Sequence, residues 1–417
     1  MIIKNFDKLA TSELRKDALT IAEAGYEAIS IPVLIGKTLS LDSDVLKIQG
    51  NEYDLKKFKN IFIAAIGKGC GLIAEELENL IGAKNIKAGV AIDLKHRKLK
   101  KIKVFGGTHP LPSEKNILAT KKLIKTLKEA KSKDLVITIV CGGGSSLACL
   151  PAKNNSCNDL RSVSEHMLKG GATIQELNTV RKHISKIHGG NMAKYAYPAN
   201  VLGLIISDVP GNDIDIVASG PISLDGSSLE EAKKLATKFK VQNIELSETP
   251  KDLKYFKKVT KLMLASGSTA LEGMKQKAKE LNYDISIYSE NLSGLANEVG
   301  PKLAKKVKSK QVLLACGETT VVVTKPGMGG RNQDLALSAL PYLKNNSVII
   351  SASSDGKDNI NVAGGITDFS INYKNLNPTK AVADNQSFKT LKSINGLYII
   401  NKITANVSDF IVVLNKG

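Results

Sequence analysis

The chain has 417 residues, 42% of them hydrophobic, which is enough for about two domains that each bury a core. No apolar run approaches the roughly 20 residues of a membrane span, and the charged N-terminus lacks the apolar segment of a secretory signal, so we expect a cytoplasmic protein without a membrane partner. The formal net charge of +19 suits either nucleic acid or small anionic ligands.

Short apolar runs alternate with amphipathic stretches between residues 60 and 207. The runs NIFIAAIG, AGVAIDL, IKVFGG, DLVITIVCGGG and NVLGLIIS indicate buried strands, and CGLIAEELENLIG and EKNILATKKLIKTLKEA have the helical period. This alternation is typical of βαβ units and of a mainly parallel sheet covered by helices. The basic cluster KHRKLKKIK at 95–103 has few aromatic residues nearby to stack bases, which favours a solvated surface over a nucleic-acid site.

A polar, irregular segment, QNIELSETPKDLKYFKK, follows the predicted helix SLEEAKKLATKFKV. We place a domain boundary there, which divides the chain into residues 1–245 and residues 246–417. Strand-like runs resume beyond it in KLMLASGS, DISIYSE, QVLLACGETTVVVT, SVIISASSDG, LYIINK and DFIVVLN. The sequence therefore predicts an α/β fold of two three-layer domains with mainly parallel sheets.

The standard nucleotide and hydrolase signatures are incomplete. GKT at 36–38 lacks the leading glycine of a Walker A loop, because position 31 is Ile31. Leu147 stands where a nucleophile elbow around Ser145 needs glycine. GKGCG at 67–71 is followed by Leu72 instead of the third glycine of the dinucleotide fingerprint. These departures argue against a P-loop, a serine hydrolase and a nicotinamide site.

Two glycine-bearing loops follow predicted strands, where open α/β sheets bind their ligands. In AAIGKGCG, Lys68 precedes a predicted helix, so its ammonium group and the first amide groups of that helix could bind one anion. A tight turn with a surface lysine is the alternative. In CGGGSS at 141–146, the glycines leave backbone N–H groups open to an anion, and the serines add hydroxyl donors. We favour a phosphate-binding loop there over a plain turn.

Polar residues at later strand ends and at one helix start complete the candidate set. Asp208 ends a strand in LIISDVPGNDIDIVASGP, where a carboxylate suits a Mg²⁺ ligand or a general base. Asp355 follows a strand in SASSDGKDNINVAGG, where metal binding and turn capping both stay open. Arg331 precedes a helix in KPGMGGRNQDLALSAL and is one of five arginines, so its bidentate guanidinium indicates recognition of a carboxylate or phosphoryl group.

The five cysteines include no CxxC pair, which argues against a disulfide framework and against a zinc site. Cys141, Cys149 and Cys157 are evenly spaced, and we attribute this spacing to chance.

Together the motifs resemble one family, the class II glycerate kinases, also called the glycerate 2-kinase or MOFRL family. The matching segments are IGKG, GGTHPLPSEKN, CGGGSSLACLPA, LNTVRKHISKIHGGNMA, SDVPGNDIDIVASGP, CGETTVVV, GMGGRNQDLALSAL and SDGKDNINVAGGITD. They stand in the family's order and cover most of the chain from residue 60 onward. The sequence departs from the family at Cys141, where serine is common, and in SDGKDNINVAGG, a change that argues against a metal role for Asp358.

The resemblance implies transfer of the γ-phosphoryl group of ATP, with Mg²⁺, to D-glycerate, giving 2-phosphoglycerate. It also implies a Rossmann-like N-terminal domain, a MOFRL-type C-terminal domain and an active-site cleft between them. The catalytic residues of the family fall on Lys68, Arg331 and Asp208. The implied phosphate or nucleotide contacts are Gly142, Gly143, Gly144, Ser145, Ser146, Gly329, Gly330 and Asn332. The implied substrate contacts are Lys68, Arg331 and Arg181, and the implied metal ligands are Asp208 and Asp355.

Several alternatives stay open. An NAD(P)H-dependent hydroxypyruvate reductase is the second hypothesis, because some relatives carry that label, although Leu72 opposes it. A basic nucleic-acid-binding protein is the third. The residues alone do not decide whether the 2- or the 3-hydroxyl is phosphorylated, whether Asp208 is a base or a metal ligand, or which loop holds ATP. They also leave open whether the protein is a homodimer.

Overall fold

The computed structural model describes residues 1–209, 211, 213–401 and 404–417. These residues form two compact units, each with its own large β-sheet. The parallel-sheet unit comprises residues 35–207 and 213–264, and the mixed-sheet unit comprises residues 1–34, 208–212 and 265–417. In the described part of the chain, no helix is both long enough and apolar enough to cross a membrane.

The helices of the two units vary from one to four turns in length. In chain order they are α1 (Phe6–Leu9), α2 (Glu13–Ala28), α3 (Ile31–Thr38), α4 (Cys70–Ile81), α5 (Glu114–Glu129), α6 (Gly144–Leu147), α7 (Cys157–Lys169), α8 (Ile174–His183), α9 (Asn191–Ala196), α10 (Leu229–Lys238), α11 (Gly267–Glu280), α12 (Ala296–Lys306), α13 (Arg331–Ala339), α14 (Pro378–Ala383) and α15 (Ser387–Ser393). Capping boxes begin α7, α8 and α10, where Ser or Thr is followed three residues later by Asp or Glu.

The parallel-sheet unit contains a small antiparallel sheet and a seven-stranded sheet. The strands are β1 (Leu39–Asp42), β2 (Val45–Ile48), β3 (Asn51–Asp54), β4 (Ile61–Ile66), β5 (Ile86–Asp93), β6 (Arg97–Lys98), β7 (Ile102–Gly106), β8 (Leu135–Cys141), β9 (Asn200–Ile206) and β10 (Val259–Ala265). The large sheet has the order β10-β9-β8-β4-β5-β7-β6, and β9, β8, β4, β5 and β7 run parallel. Strands β4 and β8 are buried throughout, which explains why their sequences are apolar on both faces.

The mixed-sheet unit contains a six-stranded sheet. Its strands are β11 (Asp284–Leu292), β12 (Gln311–Gly317), β13 (Ser347–Ser353), β14 (Gly364–Asp368), β15 (Leu397–Tyr398) and β16 (Asp409–Asn415), in the order β11-β12-β16-β13-β14-β15. Strands β11 and β12 pair in parallel, and every other pair is antiparallel. The predicted α/β fold is confirmed, whereas the mainly parallel arrangement applies to the first large sheet and not to this one. Strands β13 and β16 are buried on both faces, and such continuous apolar runs look like parallel strands in a sequence.

Helix α2, near the N-terminus, belongs to the mixed-sheet unit. The ring of Tyr26 packs edge-on against the ring of Phe410 in β16, with 4.5 Å between the ring centroids. The guanidinium of Arg15 forms a buried ion pair with Asp368 at the end of β14. This arrangement differs from the expected single boundary near residue 245, because the chain leaves the mixed-sheet unit after residue 34 and returns to it for good at residue 265.

Candidate active site

The parallel sheet has a topological switch point between β4 and β8. From β4 the chain continues to β5 and β7 on one side, and then returns to place β8 on the other side of β4. Ile66 and Val140 are partners in the parallel register, so the loops that follow the two strands are adjacent. The backbone N–H of Lys68 donates to the carbonyl of Gly142 across 2.9 Å. Ligands of open α/β sheets bind at this position.

The loop after β8, residues 142–146, is called the glycine loop below. Gly143 has a left-handed backbone with φ of 76°, and the short helix α6 begins at the next residue. Within the described chain, the backbone N–H groups of residues 143, 144 and 145 donate to no acceptor. Successive N–H groups at a junction from left-handed to right-handed backbone form a concave surface that binds anions.

Lys68 lies directly against the glycine loop. A Cβ atom at Gly143 would lie 3.1 Å from Cγ of Lys68 and 3.2 Å from the ring of His109, so both side chains flank the loop. We expected the first amide groups of α4 to bind an anion together with Lys68, but a carboxylate of the protein occupies two amide groups at this helix start. The N–H groups of Gly69 and Gly71 each donate to the carboxylate of Asp93 across 3.0 Å. An internal carboxylate therefore caps the N-terminus of α4 beside Lys68, so these two amide groups are not open to a ligand.

A polar network connects the glycine loop to Arg181. The hydroxyls of Ser145 and Ser219 are 2.9 Å apart, and Ser219 donates to the side-chain oxygen of Asn178 across 3.1 Å. Arg181 donates to the same oxygen of Asn178 at 3.1 Å and to the hydroxyl of Ser164 at 3.4 Å. No carboxylate in the described part of the chain lies within ion-pair distance of this guanidinium. Burial lowers the pKa of Arg181 to about 10, so it stays charged at neutral pH.

His188 is buried beside this network without adding charge to it. Burial, and next the positive charge of Arg181, lower the pKa of His188 to about 3, so the imidazole is neutral at physiological pH. Both ring nitrogens lack a hydrogen-bond partner within the described residues. Arg181 is therefore the charged group of the network.

A left-handed turn holds Ser219 beneath the glycine loop. Ala218 and Ser219 have φ angles of 50° and 59°, a conformation that costs of order 1–3 kcal/mol for residues other than glycine. The carbonyl of Ser219 accepts from the N–H of Gly189, and the carbonyl of Gly220 accepts from the N–H of Gly190. These bonds join the ASGP and HGG segments and fix the hydroxyl that meets Ser145.

Arg331, in the mixed-sheet unit, is bound to two carboxylates. Its Nε and Nη2 atoms donate to Asp409 at the start of β16, across 2.5 and 3.0 Å, and Nη2 also donates to Glu318 across 2.9 Å. Burial disfavours the charged guanidinium, but the hydrogen bonds and negative charges of Asp409 and Glu318 outweigh this effect and raise the pKa of Arg331. The side chain is held rigidly and stays charged.

Asp358 caps the N-terminus of α13 beside Arg331. Its carboxylate accepts from the backbone N–H groups of Asn332 and Gln333 at 3.2 and 2.9 Å. A Cβ atom at Gly330 would lie 2.3 Å from Cγ of Asp358, so glycine is required there to admit the carboxylate. The side chain of Asn332 is buried and accepts from Ser351 across 2.6 Å. Its Nδ2 group has no hydrogen-bond partner among the described residues, so the predicted contact of Asn332 with phosphate stays a prediction.

A pocket of about 510 Å³ opens in front of α13. Glycines of the GMGG segment, basic residues and apolar side chains line it together. Its lining includes Thr319, Val321, Val323, Lys325, Gly327, Gly329, Gly330, Arg331, Asp334, Lys357 and Asp358. Small-molecule sites commonly have volumes of about 300–1,000 Å³.

The two aspartates predicted to bind metal belong to the mixed-sheet unit. Asp208 accepts from the side-chain amide of Asn406 across 2.9 Å, and its carbonyl accepts from Ser408. The carboxylate of Asp355 accepts from the hydroxyl of Ser353 and from the N–H of Lys357. Among the described residues, no group of three or more His, Cys, Asp or Glu side chains could hold a metal ion by itself.

The predicted site residues thus fall into two groups. The parallel-sheet unit brings together Lys68, Gly142, Gly143, Gly144, Ser145, Ser146 and Arg181. The mixed-sheet unit contains Asp208, Gly329, Gly330, Arg331, Asn332 and Asp355. The sequence reasoning missed the roles of Asp93, Asp409 and Ser219. The role of Asp93 could have been suspected from the sequence, because Asp93, like Asp208, is a carboxylate at the end of a predicted strand.

Comparisons with known proteins extend these observations to the whole chain. Residues 17–269 match the family described as a domain of unknown function, DUF4147, and residues 311–409 match the MOFRL family. The chain is 30% identical to the glycerate 2-kinase of Pyrococcus horikoshii over 96% of its own length and 97% of that protein. It is 32% identical to a putative hydroxypyruvate reductase of Agrobacterium vitis, over 75% and 77% of the two chains.

One solved structure has a very similar fold. The crystal structure of a glycerate kinase from Thermotoga maritima superposes with a TM-score of 0.84 at 30% identity, covering 96% of this chain and 99% of that one. The likeness therefore spans both units.

Proposed function

The chain belongs to the MOFRL family of class II glycerate kinases, and we propose that it transfers the γ-phosphoryl group of ATP to the 2-hydroxyl of D-glycerate. Phosphoryl transfer needs little covalent chemistry from the protein, which mainly positions the reactants and neutralises charge. The candidate residues are suited to both tasks.

The observation that carries the proposal is a set of hydrogen-bond donors at the glycine loop that meet no acceptor of opposite charge in the described chain. Three backbone N–H groups donate to no described acceptor, and Arg181 has no carboxylate partner in the described chain. Lys68 adds a second cation beside Gly143. We propose that this set binds a phosphoryl group or the carboxylate of glycerate, since both are small anions that amide and guanidinium donors recognise.

Arg331 is the proposed anion contact at the 510 Å³ pocket. Asp409 and Glu318 hold its Nε and Nη2 atoms, and Nη1 makes no hydrogen bond or ion pair within the described residues. Nη1 is therefore the donor available to a ligand. The two carboxylates fix the direction of the guanidinium, which reduces the entropy lost when a ligand binds.

Magnesium is the metal that the family implies, and the donor set in the mixed-sheet unit fits it. Mg²⁺ is usually held by one or two carboxylates and completes its shell with water and phosphate oxygens, so a full protein cage is not needed. Asp208 and Asp355 would hold the ion, which would neutralise charge on the polyphosphate. Asp208 has the alternative role of accepting the proton of the substrate hydroxyl.

A direct assay tests the proposal. The full-length protein is incubated with ATP, Mg²⁺ and D-glycerate, and the products are identified by ³¹P and ¹H NMR. We expect ADP and 2-phosphoglycerate in equal amounts. Formation of 3-phosphoglycerate would correct the regiochemistry, and the absence of any phosphoglycerate would refute the kinase.

Alanine variants test the two proposed catalytic cations. Lys68→Ala and Arg331→Ala should each lower turnover severely without changing the far-UV circular dichroism. Lys121→Ala, on the exposed face of α5, is the control and should keep full activity. An active Arg331→Ala enzyme would remove Arg331 from the proposal.

The reductase alternative is disfavoured by the cap on α4. A bound dinucleotide would need the N–H groups at the N-terminus of this helix for its pyrophosphate, and Asp93 already accepts from two of them. Adding hydroxypyruvate and NADH to the protein should leave the nicotinamide absorbance constant. A protein-dependent fall in absorbance would restore the reductase.

A further inference from the structure

Two thiols face each other at the end of the glycine loop. The sulfurs of Cys149 and Cys157 are 3.1 Å apart and hydrogen-bonded. Cys149 is buried, with 1% of its surface exposed, and Cys157 is half-buried. The bonded sulfurs of a disulfide are only about 1 Å closer than this. The even cysteine spacing that we attributed to chance therefore includes a pair in contact.

The pair lies where the glycine loop meets the segments around Arg181. Cys149 comes three residues after Ser146, and the next residue, Leu150, accepts through its carbonyl from the N–H of Lys186. Cys157 is the first residue of α7, the helix that supplies Ser164 to Arg181. A covalent bond between the sulfurs would join both supports of the proposed anion site.

We propose that Cys149 and Cys157 form a reversible, oxidisable dithiol that takes hydroperoxides as its substrate class and regulates the anion site. The other three cysteines, Cys70, Cys141 and Cys316, are buried, which protects them from the same oxidant. A dithiol that cycles in this way is the usual form of a disulfide in a reducing compartment.

The chemistry balances with hydrogen peroxide as the oxidant. The sulfur of Cys157 attacks one peroxide oxygen, the O–O bond breaks, and a sulfenic acid and one water form. The sulfur of Cys149 then attacks the sulfenic sulfur, the S–S bond forms, and the hydroxyl leaves as a second water with the proton of Cys149. Two thiols are oxidised to one disulfide, and one peroxide is reduced to two waters.

Cys157 is the attacking residue because it is the more accessible and the more acidic of the two. Burial raises the pKa of both thiols, but the hydrogen bond with Cys149 stabilises the thiolate of Cys157 and opposes this rise. The same bond and the deeper burial hold Cys149 in its protonated form. Cys149 is therefore the resolving thiol.

Peptide mapping tests the modification itself. The full-length protein is treated with hydrogen peroxide, alkylated under denaturing conditions and digested without reductant. We expect one cross-linked peptide pair joining Cys149 to Cys157, lighter by two hydrogens and restored by dithiothreitol. Cys157→Ser should abolish the cross-link, whereas Cys316→Ser should keep it. Recovery of both residues as alkylated thiols, or of Cys157 as an irreversible sulfonic acid, would overturn the proposal.

The regulatory part rests on the proposed function and has its own readout. Closing a gap of roughly 1 Å next to the glycine loop should lower kcat/KM for phosphoryl transfer by about tenfold or more, because displacements of this size in an active site are costly. Dithiothreitol should restore the activity, and Cys157→Ser should resist peroxide. A complete cross-link with unchanged activity would overturn the regulation, whereas failure of the kinase itself would leave the cross-link measurable by mass.

Discussion

At the scale of single residues, Arg181 and Arg331 lie in opposite electrostatic surroundings. Arg331 is bound by Asp409 and Glu318, whereas Arg181 has only neutral partners, Asn178 and Ser164, among the described residues. A partly buried charge without a counter-ion is costly to keep. An anionic ligand would supply the missing charge at Arg181, as our proposal for the anion site requires.

Arg181→Ala should lower kcat/KM by about 10²- to 10³-fold, the loss typical of removing one donor that stabilises developing charge. Arg181→Lys should recover part of this loss. Steady-state kinetics measure both. The matched control is Arg161→Ala, which removes an exposed ion pair with Glu165 in α7 and should change activity less than twofold. Full activity of Arg181→Ala would exclude the residue from the anion site.

Gly143 provides a second test at this scale. Gly171 is its matched control, because it has the same left-handed backbone conformation, with a φ of 79°. Alanine at either position should cost about 1 kcal/mol of unfolding free energy. A Cβ atom at Gly143 would press on Lys68 and His109, whereas one at Gly171 would meet no described atom within 4 Å. Only Gly143→Ala should therefore lose turnover, by about 10²-fold. Equal activities of the two variants would refute this role of the loop. Denaturation curves of both variants would show that they are equally stable.

At the scale of elements, two helices that the sequence marks as anion sites are capped by aspartates from other segments. Asp93 caps α4 and Asp358 caps α13. The glycine loop differs, because its N–H groups meet no described acceptor. Of the glycine-bearing helix starts predicted to bind phosphate, this one has N–H groups without an acceptor in the described chain, as our proposal of a ligand there requires.

The cap on α13 predicts a pH dependence of stability. Burial raises the pKa of Asp358 to about 6, above its value of about 3.9 in the unfolded chain. The native state therefore binds more protons than the unfolded state between these values, and the stability due to Asp358 falls as the pH rises from about 4 to about 6. Asp358→Asn removes this titration, so the variant should gain on the order of 2 kcal/mol relative to the wild type between pH 4 and pH 7.

Urea denaturation at several pH values measures this difference. Asp252→Asn is the control. A hydrogen bond from Lys254 lowers the pKa of Asp252, so removal of this carboxyl group should change the pH dependence of stability in the opposite direction. A constant difference between Asp358→Asn and the wild type across this range would contradict the prediction.

The alternating strands and helices of the parallel sheet could be predicted from sequence, because each apolar run and each helical period is local. The glycine loop and Lys68 could be predicted for the same reason, since loops after parallel strands collect at one edge. The cap from Asp93 could not, because it depends on the register between β4 and β5. The antiparallel pairing of β13 and β16 could not either, because buried strands of both kinds are apolar throughout.

At the scale of the whole molecule, the mixed-sheet unit is assembled from distant parts of the chain. Helix α2 buries Leu19 and Tyr26 in it and packs against β13 and β16. The parallel-sheet unit, by contrast, is drawn from residues 35–264 apart from the short segment 208–212.

Fragments of the chain test this division. Residues 35–264 should fold alone and melt cooperatively. Residues 246–417 should aggregate, because without α2 they expose the apolar surface that it covers. Joining residues 1–34 to residues 265–417 through a glycine–serine linker should restore a soluble unit. Circular dichroism and size-exclusion chromatography measure these outcomes, and a cooperative transition of residues 246–417 alone would contradict them.

The position of β16 has a consequence for how the protein is made. This strand lies in the middle of its sheet, between β12 and β13, yet it follows every other described strand along the chain. During translation the parallel-sheet unit can fold once residue 264 has emerged from the ribosome, since domains fold as units from the N-terminus. The mixed-sheet unit must wait until residue 415, with the hydrophobic face of α2 uncovered in the meantime. In a nascent chain, α2 therefore keeps its hydrophobic face exposed until β16 has been synthesised, although α2 is among the first segments made.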